Sequence, residues 1–135
     1  MLSSQVSQSP SCRAHKFGGS SLADAGRIRH VASLLLDATE PRQVVVVSAM
    51  QGTTNALIAM TAAAAAGDDW QSTWSALRTQ HVEAASALLD APAELHAWID
   101  ARFADIADLL RAVSLRRQPG RAATARCAPK CRDFQ

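Results

Sequence analysis

Val44-Val45-Val46-Val47 is an unbroken β-branched run with no polar residue to turn toward water. A strand with one wet face alternates apolar and polar residues, and this one does not. It therefore reads as a strand buried on both faces, as in the centre of a parallel sheet. The run ends at Ser48, where small and hydroxylic residues take over, Ala49-Met50-Gln51-Gly52-Thr53-Thr54-Asn55, before a helical pattern begins at about Thr54. Some thirty residues earlier, Lys16-Phe17-Gly18-Gly19-Ser20-Ser21 follows a short lead-in strand and opens into another helical pattern. The order is strand, glycine loop, helix, strand, hydroxyl-rich loop, helix. Both loops leave the carboxyl ends of neighbouring parallel strands, where open α/β sheets bind ligands. A right-handed crossover would set them side by side.

The first loop has the chemistry of a phosphate cradle. Glycine lets backbone approach an anion, a helix start offers free N–H groups with partial positive charge, and Lys16 adds a full one. It is not a Walker A loop: the lysine precedes the glycines, and G-x-x-x-x-G-K-[ST] is nowhere in the chain.

Together, Lys16-Phe17-Gly18-Gly19-Ser20-Ser21-Leu22-Ala23-Asp24 and the segment from Val44 to Leu57 resemble the amino-terminal part of an aspartate kinase, in the amino-acid kinase superfamily. The likeness runs from about His15 to about Leu115, and the two motifs are its specific part. It implies an α/β fold, the amino-terminal part of a three-layer α/β/α kinase domain with two parallel strands and about four helices. The implied activity is transfer of phosphate from ATP, as its Mg2+ complex, to the side-chain carboxylate of L-aspartate. That is the first step toward lysine, threonine and methionine. By the same resemblance Lys16 would hold ATP phosphate oxygens, as the catalytic residue. Gly18 and Gly19 would supply backbone donors, and Ser20 and Ser21 would belong to the same ATP loop. Ser48 and Thr54 would contact aspartate. The residue types suit the reaction: carboxylate attack on a γ-phosphoryl group sets anion against anion, so fixed positive charge and N–H dipoles matter more than a protein nucleophile.

Resembling enzymes carry a Gly-Glu motif and a Thr-Asp-Pro-Arg-type segment further along, then regulatory domains. None occurs before Gln135. The expectation is an amino-terminal piece of such a kinase, inactive alone, whose parent is a homo-oligomer and could be fused to homoserine dehydrogenase or diaminopimelate decarboxylase. Three segments are expected: a polar leader over 1–13, a partial kinase domain over 14–115 and a basic tail over 116–135. The net charge of +2 conceals a balance of −3 in residues 1–115 and +5 in residues 116–135. The tail has no apolar period and carries Cys127 and Cys131. A reading-frame shift near Leu115 in GC-rich DNA accounts for its Arg, Ala, Pro and Cys content; a disordered basic tail is the other reading. Apart from Phe134 no aromatic residue accompanies its arginines, whereas a base-stacking surface needs several, so no nucleic-acid partner is expected.

Between the loops, 21–38 reads as an amphipathic helix capped by Ser21 with Asp24 at its third position. Leu22, Ile28, Val31, Leu34 and Leu35 form its apolar stripe, while Arg27, Arg29 and His30 are assigned to water. An alanine-rich helix over 54–66 should end at Gly67-Asp68-Asp69. Two long helices should follow between Trp70 and Val113, joined near Asp90-Ala91-Pro92 as an antiparallel hairpin, with Asp90 as cap and Pro92 in the first turn. Their stripes are Trp74, Leu77, Val82, Ala85, Leu88, Leu89 and Leu95, Trp98, Ile99, Phe103, Ile106, Leu110, Val113. The tryptophans read as packing, and His81 and His96 as surface or interhelix residues.

Cys127 and Cys131 lack the further ligands a zinc site uses, and no protein-bound metal is expected. The leader has no apolar core of a signal peptide and no stretch could span a membrane, so a cytoplasmic enzyme without membrane partners is expected. Two other functions compete: a kinase for glutamate or acetylglutamate, and a non-catalytic module that binds phosphate or a partner. The Ser-Ala-Met-Gln-Gly-Thr-Thr-Asn segment favours aspartate. Two strands with four helices would leave sheet edges and apolar helix faces open, so marginal stability and a tendency to aggregate or to a molten state are expected.

Overall fold

The structure is a computed structural model that describes residues 12–116. The sequence readings on the leader before Cys12 and on the tail, including Cys127 and Cys131, lie outside the described residues. Strand β1 (Cys12–Phe17) leads through a 3-10 turn (Gly19–Leu22) into helix α1 (Ala25–Leu36) and strand β2 (Arg42–Val47). Helices α2 (Thr53–Ala66), α3 (Gln71–Leu88) and α4 (Ala93–Leu115) follow. The two strands are parallel neighbours, in register from Cys12 opposite Arg42 to Phe17 opposite Val47. The expected α/β order is therefore present, with two parallel strands and four α-helices among the described residues.

Helix α1 starts later than its pattern suggests. Gly18 and Gly19 first make the tight 3-10 turn, in which Ser21 N–H donates to the Gly18 carbonyl at 3.0 Å. The cap is then Asp24, not Ser21: its Oδ1 accepts from the Arg27 amide at 2.9 Å. Leu22 and Val31 are buried, whereas Leu34 faces water. The Arg29 guanidinium donates to the Ala87 carbonyl at 2.7 Å, placing a cation at the negative end of α3 and tying α1 to it.

The core lies among α2, α3 and α4. Met60, Ala64, Trp70, Leu77, Ala85, Ile99, Phe103, Ala107 and Leu110 form one buried cluster. Helices α3 and α4 are the expected antiparallel pair. Moving along α3 from Trp74 to Arg78 to Ser86, the partners on α4 run backwards, from Phe103 to Asp100 to His96. His81 and His96 both face the partner helix: the His81 ring lies edge-on to Phe103 at 5.6 Å, and His96 Nε2 is 3.0 Å from Ser86 Oγ. Three assignments to these stripes fail, and Leu89, just past the end of α3, is one of them, 46% exposed. Leu95 and Trp98 sit at the margin of the α4 contact and are exposed, Trp98 by 62%. At the α3–α4 junction Pro92 itself occupies the cap position with no side-chain cap, so Asp90 does not cap α4.

The valines also depart from expectation. Val44 to Val47 are 43–59% exposed, and no strand residue belongs to the core cluster. The pairing is as read, but among the described residues the sheet has two strands, each with an unpaired edge, and the helices pack with one another beside it. Helix α2 is similar: it carries Met60 and Ala64 into the core yet leaves Ile58 64% exposed. A helix apolar on all sides is built for contacts on all sides. No helix among the described residues is long and apolar enough to cross a membrane.

Asp69 anchors the start of α3. Its carboxylate accepts from the Ser72 hydroxyl and from the Gln71 and Ser72 amides, the latter at 2.8 and 3.3 Å. The Ser72 hydroxyl, then the amides, hold its pKa below the ordinary aspartate range. A group with a depressed folded pKa contributes stability above its unfolded pKa and loses it as pH falls through the folded one. We therefore expect the first turn of α3 to fray on acidification below the normal aspartate range. Amide chemical shifts of Gln71 and Ser72 should report a titration that Asp69→Asn abolishes; identical pH profiles in both proteins would refute it.

Candidate functional site

Each strand ends by delivering a loop to the same edge of the sheet. The pairing continues one residue past β2, where the Ser48 amide donates to the Phe17 carbonyl at 3.0 Å. Ser48 therefore stands beside the entry to Gly18 and Gly19. Gly19 is packed so tightly against the second loop that a Cβ there would lie 3.3 Å from the Ala49 carbonyl oxygen and 3.5 Å from Gln51 Cα. Any side chain at position 19 would push the loops apart.

The second loop turns sharply into α2. The Thr53 amide donates to the Met50 carbonyl at 3.2 Å, and Gly52 between them has φ +87° and ψ −18°. Those angles suit the third residue of a type II turn, which glycine adopts without a Cβ clash. No side chain caps the helix. The first helical hydrogen bond runs from the Ala56 amide to the Gly52 carbonyl, so the Thr54 and Asn55 amides make none among the described residues. Free N–H groups at the positive end of a helix favour an anion.

A cavity of about 290 Å³ opens between the loops, lined by Gly19, Ser48, Ala49, Met50, Gln51, Gly52, Thr54 and Asn55. Gly19, Ser48 and Thr54, assigned to two different loops from sequence, thus share one wall-to-wall space. Lys16, Gly18, Ser20 and Ser21 do not line it. Lys16 lies one step back on β1, opposite Val46, exposed and in no ion pair among the described residues. Ser20 contributes its carbonyl to Arg27 Nη1 at 3.1 Å. Among the described residues no carboxylate lines the cavity, and no group of three His, Cys, Asp or Glu is arranged to hold a metal.

Two participants were not singled out from sequence. Asn55 sits on the cavity wall, and its place in the loop motif could have marked it. Gln80, from the middle of α3, reaches both loops: its Nε2 lies 3.3 Å from the Gln51 carbonyl and 3.5 Å from the Ala23 carbonyl. No local pattern could have disclosed contacts across 29 and 57 residues.

Comparison with known proteins bears on this arrangement. The sequence pattern of the amino acid kinase family matches residues 12–117. Among solved structures, the chain is similar to E. coli aspartokinase III in complex with aspartate and ADP, at 27% identity and a TM-score of 0.65, over 77% of this chain and 22% of that one. It is similar in fold to Clostridium acetobutylicum aspartate kinase, at 19% identity and a TM-score of 0.58, over 79% of this chain and 26% of that one. The chain thus spans about a quarter or less of the length of these kinases to which it is similar. No curated protein sequence matches it.

Proposed function

The chain belongs to the amino acid kinase family, and we propose that its two loops form the meeting point of phosphoryl donor and acceptor in an aspartate kinase. The donor is ATP and the acceptor is the side-chain carboxylate of L-aspartate. The observation that carries this reading is the shared cavity: Gly19 of the glycine loop and Ser48 and Thr54 of the hydroxyl loop face one space at the carboxyl ends of two parallel strands. The similar E. coli enzyme holds aspartate and ADP, the two kinds of ligand such a space would serve.

Each residue has a definable task. Lys16, with the backbone of Gly18 and Gly19 and the loop residues Ser20 and Ser21, holds the phosphates and draws off charge as the γ-phosphoryl group leaves. Ser48 and Thr54 orient aspartate through hydroxyl hydrogen bonds without competing as nucleophiles, and the free amides of Thr54 and Asn55 attract a carboxylate. Mg2+ is proposed to arrive with the nucleotide, since the cavity lining among the described residues includes no carboxylate to hold it. These parts bind and orient; positioning and charge are what phosphoryl transfer asks of a protein. Turnover is proposed for a kinase domain of which these loops form one side.

The test is titration of the protein with MgADP, L-aspartate, L-glutamate and N-acetylglutamate, followed by amide chemical shifts. L-aspartate should move Ser48, Thr54 and Asn55, and MgADP should move Lys16 to Ser21. Thr54→Ala should weaken L-aspartate by about three- to tenfold, the worth of one hydrogen bond, and leave MgADP unchanged. A stronger response to glutamate or N-acetylglutamate would replace aspartate as the substrate. Binding of MgADP with no response to any amino acid would favour a phosphate-binding module.

A further inference from the structure

Gln80 lies outside the cavity, yet its side chain reaches from α3 to both loops around it. Its carboxamide nitrogen has two hydrogens and faces two backbone carbonyls, Gln51 at 3.3 Å and Ala23 at 3.5 Å. The amide has no alternative orientation, since its oxygen turned this way would meet two carbonyl oxygens. Ala23 closes the 3-10 turn that begins at Gly19, and Gln51 is the second residue of the turn that ends at Thr53. The same two loops touch at Gly19 and Ala49 on the cavity side. They are therefore pressed together in front and held from behind by one side chain.

We infer that Gln80 is a positioning residue that sets the spacing between the two loops and so the affinity of the cleft for both of its ligands. The inference rests on the kinase reading for the identity of those ligands, but not for the brace itself. Leu77 and Ala84, one turn to either side of Gln80 on α3, are buried, and Leu77 and Ala85 carry the helix into the core cluster. Gln80 thereby ties both loops to a helix that is itself anchored in the core. Sites built on such supports keep their geometry better than free loops. Both contacts are donated by the side chain, so the required property is a donor of that reach, not an amide as such.

Three variants of the full chain separate this from a general packing role. Gln80→Leu removes the donor, Gln80→Glu replaces it with a carboxylate that repels both carbonyls, and Gln80→Lys restores a donor. Hydrogen exchange is read at the Ser21 and Thr53 amides, which donate within the two turns, with the buried Ala84 position of α3 as control. Exchange at Ser21 and Thr53 should rise about tenfold in the Leu and Glu variants, return toward wild type in the Lys variant, and stay constant at Ala84. Affinities for MgADP and L-aspartate should fall together in the first two and recover in the third.

Unchanged exchange at both turns in folded Gln80→Glu would overturn the brace, whatever the ligands do. Faster exchange with unaltered affinities would overturn its role in positioning. If the wild-type chain binds neither ligand, the kinase reading fails while exchange still decides the brace. Should Gln80→Leu not fold, the Glu and Lys pair, with stems of comparable reach, gives the same decision.

Discussion

Phe103→Ala is expected to lower the thermal midpoint of this protein by more than about 10 °C, while Trp98→Ala, five residues away, leaves it nearly unchanged. Phe103 is 6% exposed, at the centre of the three-helix core. Its ring meets Trp74 edge-on at 5.9 Å and His81 at 5.6 Å, and its carbonyl accepts the Trp74 indole N–H at 2.9 Å. Truncating a buried phenylalanine costs about 3–5 kcal/mol, because the cavity left behind adds to the lost transfer energy. Domains of ordinary size hold only about 5–15 kcal/mol in total, and this one leaves its valine strand in water. Trp98, 62% exposed with the Arg102 guanidinium 6.0 Å from its ring, has little burial to lose. Circular dichroism melts of the two variants measure the difference. Equal shifts would mean that the α4 face has been assigned wrongly.

The contrast between those two aromatic residues marks how far the sequence could be read. Both lie on the apolar stripe of α4, and periodicity cannot tell its centre from its margin; that depends on where α3 crosses. The order of strands, loops and helices was legible because each signal is local: the valine run, the glycines after Lys16, Gly67 at the end of α2. Pairing of β1 with β2 followed from the parallel pattern. Burial of the valines did not, because a strand's composition records the neighbours it suits, and only β1 lies beside it among the described residues. Asp24 displaced Ser21 as the α1 cap because a glycine-led 3-10 turn came first, and cap preferences do not rank competing candidates three residues apart. Of the seven site residues expected, Gly19, Ser48 and Thr54 converge on one cavity, since two adjacent strand ends bring their loops together. Gln80 stayed invisible because a glutamine in mid-helix has no pattern that distinguishes a brace from a wet side chain.

Lys16→Ala should weaken MgADP by about 10- to 100-fold while L-aspartate changes less than about twofold. Strand alternation separates Lys16 from its neighbours: the His15 and Phe17 rings stack on each other at 6.3 Å on one face, which leaves Lys16 on the opposite one. There it is exposed and carries a charge that no described carboxylate neutralises. An ammonium group held ready for phosphate need not first give up a protein partner. A hydrogen bond to a charged group is worth about 1.5–3 kcal/mol, which sets the expected loss. The interaction is electrostatic and near water, so wild-type affinity for MgADP should fall with added salt. The alanine variant should show a shallower dependence, and Lys16→Arg should retain part of the affinity because it keeps the charge while changing its shape. Isothermal titration at two ionic strengths reads all three. An equal loss of aspartate affinity would show that Lys16 supports the loops instead of the nucleotide, and no loss of MgADP affinity would remove it from the phosphate site. The selective loss is the result that ties the glycine loop to the donor side and leaves the hydroxyl loop to the acceptor.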